Sequence, residues 1–541
     1  MVVRAWSPWT LGALGIVAVL TVPIAAVLSS LAAPAVDVWS HLIRTQLLEL
    51  IVNTILLLAG VGLGALGVGT TLAWLVVHYR FPGRGLFEWA LVLPLAMPAY
   101  VVGFAFLGLL DFAGPLQTLL RNRFGPWLTI EPRGYGGVVV AMTLVFYPYV
   151  YLLARSAFTE QGAATLETAR SLGCTRGQAF RQITLPMARP ALVAGTALAM
   201  MEALADFGTV ATFGYRTLTE AIYRVWYGMF DRLAATQLAS LLLLFALGLV
   251  VLERSLRGRA RFSQSRRRGH GITLASLPGW WAVAAAVTCT VVLGVAFVLP
   301  VTQLLVWAGP LVLSWPPVPR FNAILLRTLA LAAAAALLVA ALAVVLAYAR
   351  RLHPSTGVRL ATQVAATGYA LPGSVIAVGV LVPMAWLDHA LVHQGERLFG
   401  YRLGLMLTGS VAGLLFAYAV RFVAVGFQTL DASLGRLPQS LDDAARSLGA
   451  RVGGTLYRVH LPLLRRGLLT ALILVFVETM KEMPATLLLR PFGLSTLATE
   501  VWERTSESLW AEAAVPALAL VLAGLLPVFL ALRLSAGPAS R

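Results

Sequence analysis

Four carboxylates sit where carboxylates are costly. Glu202 and Asp206 lie in one long apolar stretch. Glu478 and Glu482, with Lys481 between them, lie in another, and each of these acids is 276 residues from its counterpart. On a continuous helix, positions i and i+4 share a face, so each pair predicts an acidic face. An ionisable group at the centre of a bilayer costs about 2.5–3.5 kcal/mol on insertion scales. Such acids either line a polar translocation pathway or tie helices together, with Lys481 pairing locally and the first pair meeting arginines elsewhere. Carboxylate oxygens suit hard cations. Tyr147, Tyr149 and Tyr151 would add phenolic oxygens, although an aromatic cluster in a span is more often packing. His389 and His393 are spaced i, i+4 in what reads as an outer loop, and two residues make no metal site. Cys174 and Cys289 lack any CxxC spacing, so neither a disulfide nor a zinc site is expected. The metal ligands, if any, are left unassigned.

The elements that must position these groups follow from composition. Of 541 residues, 59% are hydrophobic and 12% charged, with a mean hydropathy of +0.83. Soluble domains carry about 25% charge, so a soluble enzyme and a disordered chain are excluded. A spanning helix needs about 20 apolar residues. Spans are expected at 10–33, 47–78, 87–110, 136–158, 187–212 and 235–253. A second set is expected at 281–309, 322–350, 361–387, 403–427, 466–490 and 511–533. The first apolar run is long enough to span and is read as a retained helix, not a cleaved signal peptide.

The net charge of +18 does not point to nucleic acid. Of the 41 basic residues, Lys481 is the only lysine, and most of the arginines fall between apolar runs. With the N-terminus inside, the inner segments hold about twice as many arginines as the outer ones, which predicts both termini in the cytoplasm. The basic stretch 256–279 reads as a cytoplasmic linker between two six-helix halves, 1–255 and 280–541.

The halves are internal repeats. Glu167-Thr-Ala-Arg-Ser-Leu-Gly173 is followed after nine residues by Ile183-Thr-Leu-Pro186. Asp443-Ala-Ala-Arg-Ser-Leu-Gly449 is followed after nine by Val459-His-Leu-Pro462. Upstream, Asn53-Thr54 matches Arg327-Thr328, and Pro98 matches Pro372, both with an offset of 274. An even number of spans separates the copies, so they run parallel and not inverted. In each loop, about 160–190 and 436–466, an acid favours a helix start. Gly173 or Gly449 supplies a left-handed end, and Pro186 or Pro462 suits the start of the next span. Tidying of helix ends would explain Gly and Pro, but not the five-residue identity Ala169–Gly173 with Ala445–Gly449. A docking surface explains both.

These loops resemble the cytoplasmic signature of the permease subunits of binding-protein-dependent ABC importers: EAA, three residues, Gly, nine residues, Ile-x-Leu-Pro. Thr168, Asp443 and Val459 are mild departures from that pattern. The resemblance implies an all-α polytopic membrane protein of about twelve helices with a MetI-like fold, in the bacterial inner membrane. It implies that Glu167, Ala169, Gly173, Leu185, Pro186, Asp443, Ala445, Gly449, Leu461 and Pro462 couple the chain to an ATPase. Residues 202–215, 217–239 and 478–493 are similar to segments of iron(III) importer permeases. The expected partners are two copies of an ATP-binding cassette subunit, a periplasmic substrate-binding protein and the lipid bilayer. A P-loop needs Gly-Lys-Ser/Thr, and Lys481 is flanked by Met480 and Glu482. ATP is therefore expected to be used by a partner, with no cofactor on this chain and no enzymatic activity of its own. Ferric iron is the leading substrate. Thiamine, a polyamine or a phosphonate would suit a related permease, and an ion-driven secondary transporter would have no use for two matched docking loops.

Overall fold

A computed structural model describes residues 7–32, 36–127, 129–171, 173–257, 274–313, 319–399 and 404–535; side chains at 36–38, 162–170, 176, 312–313, 319, 399 and 530–535 lie outside that description. Most of the basic linker is likewise outside the described residues. Twelve described helices are long and apolar enough to cross a membrane. The first six are Pro8–Ala32, Leu47–His78, Ala99–Phe124, Tyr135–Gln161, Gly177–Ala205 and Arg232–Arg257. The second six are Trp280–Leu311, Arg320–Leu352, Gly373–Leu398, Val411–Gly435, Val452–Lys481 and Trp510–Phe529. They are numbered here as spans one to twelve. The only described strands are Tyr79–Arg80 and Ala275–Ser276, a short parallel pair.

The expected spans at 87–110 and 361–387 are not continuous helices. In the first, a helix Arg84–Ala90 leads to a 3-10 turn, Leu93–Ala96, before the helix Ala99–Leu110. In the second, Thr356–Ala366 leads to a 3-10 turn, Thr367–Ala370, before Gly373–Phe399. Pro98 and Pro372 follow the turns, and the residue before a proline disfavours the helical region. The carbonyls freed at the first break are captured: Tyr147 donates to Leu91 O at 2.9 Å and Tyr151 to Glu88 O at 2.9 Å. Both phenols are fully buried and engaged with backbone, so neither is presented as a metal ligand. His389 and His393 lie on the ninth helix rather than in a loop.

The chain forms two compact units that do not follow the sequence halves. One contains span one with spans eight to eleven; the other contains spans two to five, seven and twelve, with span six divided between them. In the first unit, span one packs on spans eight and nine. Gly379 lies so close to Pro23 O and Val27 that a side chain there would collide with both. Ser240 donates to Val27 O at 2.6 Å and Gln237 to Ser30 O at 3.2 Å. Lipid supplies no hydrophobic drive between helices, so such small-residue contacts and polar ties hold them together. In the second unit, span seven packs on span twelve, and both pack on the segment 93–110. Phe104, Trp307 and Trp510 stack at centroid separations of 6.1–6.3 Å.

Within each unit three helices form the centre. Spans two, four and five pack together in one, and spans eight, ten and eleven in the other. Their mutual likeness extends to single bonds. Thr54 Oγ1 accepts from Leu218 N at 3.1 Å, and Thr328 Oγ1 accepts from Leu497 N at 2.9 Å.

Candidate functional site

The two loops are built on one plan. In the first, the helix of span four continues without a break to Ser171, and Gly173 lies beyond its end with φ +87°. The side chains of Glu167 and Ala169 lie outside the described residues. Thr175 and Gln178 then form a reciprocal capping box: Thr175 N donates to Gln178 Oε1 at 2.9 Å, and Gln178 N to Thr175 Oγ1 at 3.3 Å. The short helix Arg176–Ala179 follows.

In the second loop, span ten stops at Gly435, and a separate helix, Ser440–Ser447, carries Asp442 and Asp443 in its first turn. Gly449, at φ +80°, ends it. Ala450 N donates to Ala445 O at 2.9 Å and Gly449 N to Arg446 O at 2.9 Å, the two bonds of a Schellman cap. Ala445 is buried, whereas Asp443, Gly449 and Leu448 face outward, Leu448 with 87% exposure.

Both loops re-enter the bundle through a π-helical turn, Phe180–Thr184 and Leu456–His460, again 276 residues apart. Leu185 N bonds Phe180 O, and Leu461 N bonds Leu456 O, five residues back. The cause is the next residue. Pro186 and Pro462 have no N–H, and their rings crowd the carbonyl four residues before, so the ladder shifts by one. Leu185 and Leu461 are half-buried at this point, and Pro186 and Pro462 are exposed.

The acids of spans five and eleven are placed differently from the continuous face expected of an i, i+4 pair. Span five ends at Ala205, and Asp206 is extended, with ψ 106°. Its carboxylate caps the helix Phe207–Thr212, accepting from Thr209 N at 2.7 Å and Thr209 Oγ1 at 2.9 Å. Span eleven ends at Lys481, and Glu482 is extended, with ψ 111°. Glu482 accepts from Ala485 N at 3.0 Å at the start of Pro484–Leu489, and its other oxygen lies 3.2 Å from Arg421 Nε. Glu202 and Glu478 remain on the helices themselves, and Lys481 pairs with Glu478 at 3.5 Å. Each pair therefore divides into one helical acid and one acid at a helix break. Among the described residues no three His, Cys, Asp or Glu side chains gather as a metal site.

The sequence reading missed a group behind the second loop. Asp442, beside Asp443, turns inward to Arg351 at 2.6 Å, with His460 3.1 Å from its other oxygen. The signal was the doubled acid, where the first copy has Leu166-Glu167.

Comparison with known proteins agrees with this architecture. Residues 65–261 match the family described as the inner membrane component of binding-protein-dependent transport systems. An Fe(3+)-transport system permease protein of Haemophilus influenzae is 28% identical over 90% of this chain and 90% of its own length. A sulfate transport system permease protein of Salmonella typhimurium is 33% identical over 35% of this chain and 69% of its own. A molybdenum transport system permease protein of Escherichia coli is 33% identical over 29% of this chain and 71% of its own. Two loops of one plan in a single chain, on twelve apolar helices with a MetI-like fold, are two permease halves fused end to end: the chain belongs to the inner membrane components of binding-protein-dependent transport systems, the multi-pass permeases of ABC transport.

Proposed function

We propose that this permease imports ferric iron, delivered by a periplasmic binding protein and driven by a separate ATPase. The observation that carries the coupling is the repetition of one loop geometry 276 residues apart: a left-handed glycine, a short helix, a π-turn and an exposed proline. Two equal docking features suit two copies of an ATPase subunit, seated around 160–190 and 436–466. Both termini then face the cytoplasm, in keeping with the arginine distribution. Glu167, Ala169, Gly173, Leu185 and Pro186, with Asp443, Ala445, Gly449, Leu461 and Pro462, form the coupling surfaces.

Iron is favoured because the ferric permease relative is similar over nine-tenths of both chains, whereas the sulfate and molybdenum permeases match over about a third of this one. Glu202, Asp206, Glu478 and Glu482 lie along the pathway in this reading, and carboxylate oxygens suit a hard trivalent cation. The test is uptake by proteoliposomes containing the chain, its ATPase and its binding protein. Radiolabelled ferric iron should accumulate with ATP; accumulation of molybdate or sulfate in its place would replace the substrate assignment. Failure of any ATPase to co-purify would overturn the coupling.

A further inference from the structure

The two loops are joined to their helices by different means. In the first half the helix of span four runs unbroken from Tyr135 to Ser171, so the loop helix and the span are one rod. In the second half the rod is cut. Span ten ends at Gly435, Pro438 follows, and the loop helix begins at Ser440. Pro438 removes the donor four residues on from Leu434 O, which accepts from Leu437 N at 3.0 Å in a tightened last turn.

Arg351, at the end of span eight, bridges the cut. Its Nη1 donates to Leu434 O at 2.6 Å and Leu437 O at 3.3 Å; Nη2 donates to Pro438 O at 3.3 Å. The same guanidinium holds Asp442 Oδ2 on the loop helix, from Nη2 at 2.6 Å and from Nε at 3.1 Å. His460, in the π-turn that opens span eleven, is fully buried, with Nε2 3.1 Å from Asp442 Oδ1. Its ring meets Tyr348 edge-on at 5.6 Å, and Tyr348 donates to Val452 O at 2.8 Å. Asp442 and His460 are buried and Arg351 half-buried, and the three touch the ends of spans eight and ten, the loop helix and the π-turn of span eleven.

The first half has none of these groups at the matching positions. Offsets of 274 and 276 place Val77, Leu166 and Thr184 where the second half has Arg351, Asp442 and His460. At the position of Tyr348 the first half has Trp74, which lies 4.3 Å from Phe180 and 5.8 Å from Phe158 between ring centroids.

We propose that Arg351 and Asp442, with His460 packed against the carboxylate, are positioning residues that restore, through the ion pair and hydrogen bonds of Arg351, the rigid connection lost at Pro438. Through them a displacement of the second loop helix is passed to spans eight, ten and eleven. The first loop passes its displacement through the continuous helix of span four and needs no such triad. This rests on the importer reading above. A guanidinium fork suits the task because its donors are fixed in one plane and stay charged.

The test compares Asp442→Asn with Trp74→Leu in the purified transporter complex. Substrate moved per ATP hydrolysed and amide hydrogen exchange over residues 440–447 are both measured. At saturating ATPase, where any loss of affinity is masked, Asp442→Asn should keep ATP hydrolysis while transport per ATP falls about tenfold and exchange in the loop helix rises about tenfold, because breaking the pair strands a charge. Trp74→Leu should leave the transport ratio unchanged. A wild-type ratio and wild-type exchange in Asp442→Asn would overturn the proposal, as would an equal loss of coupling in Trp74→Leu. If Asp442→Asn does not accumulate in the membrane, Arg351→Lys, which keeps charge but loses the fork, is judged by the same two readouts. If the wild-type chain retains no ATPase, the importer reading and the coupling role fall together. The exchange comparison then still decides whether the triad anchors the loop.

Discussion

Gly449 offers the sharpest test of the docking loops. Its φ is +80°, and a Cβ built there meets nothing within 4 Å. Any effect of a side chain at 449 is therefore one of backbone conformation and not of collision. An L-residue in the left-handed region costs roughly 1–2 kcal/mol, and a β-branched one more, because its χ1 is also restricted. The expense falls on the Schellman cap of an eight-residue helix that presents Asp443 and Leu448 outward. A cost of about 1–2 kcal/mol corresponds to a factor of about 5–30 in population, which lowers the apparent affinity of a partner that needs the capped form. Gly449→Val should therefore weaken ATPase binding by about 5–30-fold. Gly449→Asn should bind close to wild type, since asparagine tolerates this region. Gly453→Ala, also in open space but without a left-handed φ, is the control. The assay is titration of purified ATPase onto the chain in nanodiscs. Equal affinity for Gly449→Val and wild type would refute the argument, and so would equal loss in Gly449→Asn.

Other expectations follow from single contacts. Thr328→Val removes the acceptor of Leu497 N and should lower stability by about 1–3 kcal/mol, read as a drop in thermal midpoint in detergent. Thr54→Val should do the same through Leu218 N. Arg421→Met or Glu482→Met alone should destabilise by about 3–5 kcal/mol, and the two together by much less; a double-mutant cycle on unfolding decides it. Asp388 accepts from the backbone N–H groups of Met406, Leu407 and Thr408 at 2.7–3.2 Å. Asp388→Asn should release that segment to protease, and an unchanged cleavage rate would count against the cap. Burial raises the pKa of Glu220 despite Arg224 and Arg216 nearby. The folded state then holds its proton more tightly than the unfolded state, so stability falls as pH rises from the ordinary carboxylate range through the raised value. Glu220→Gln should flatten that dependence.

Much of the loop geometry was readable because it depends on residues close in sequence. Gly173 and Gly449 adopt the left-handed ends expected of them, since only the local φ is at issue. Pro186 and Pro462 lie just after the π-turns inside their spans and not at the span starts, and each π-turn is a local consequence of the missing N–H. The helix breaks were harder. Residues 87–110 are apolar apart from Glu88 near their start, and hydropathy does not distinguish a continuous span from one interrupted at Pro94 and Pro98. Asp206 and Glu482 looked like one turn of an acidic face, yet each ends a helix and caps the next. Their side-chain oxygens compete for backbone N–H groups, which a periodicity argument does not weigh.

Composition, repeat spacing and glycine placement were enough to specify a twelve-span membrane chain made of two like halves with matched loops, because each is a local or additive property. The partition of spans between units, with span one beside spans eight and nine and span seven beside span twelve, was not legible. The spans are predominantly apolar, so hydropathy names no partner, and the choice rests on close approaches such as Gly379 to Pro23. The pairing of Arg351 with Asp442 and His460 is of the same kind. Those residues are 91 and 109 positions apart in the chain, and only the packing of spans eight and eleven brings them within hydrogen-bonding distance.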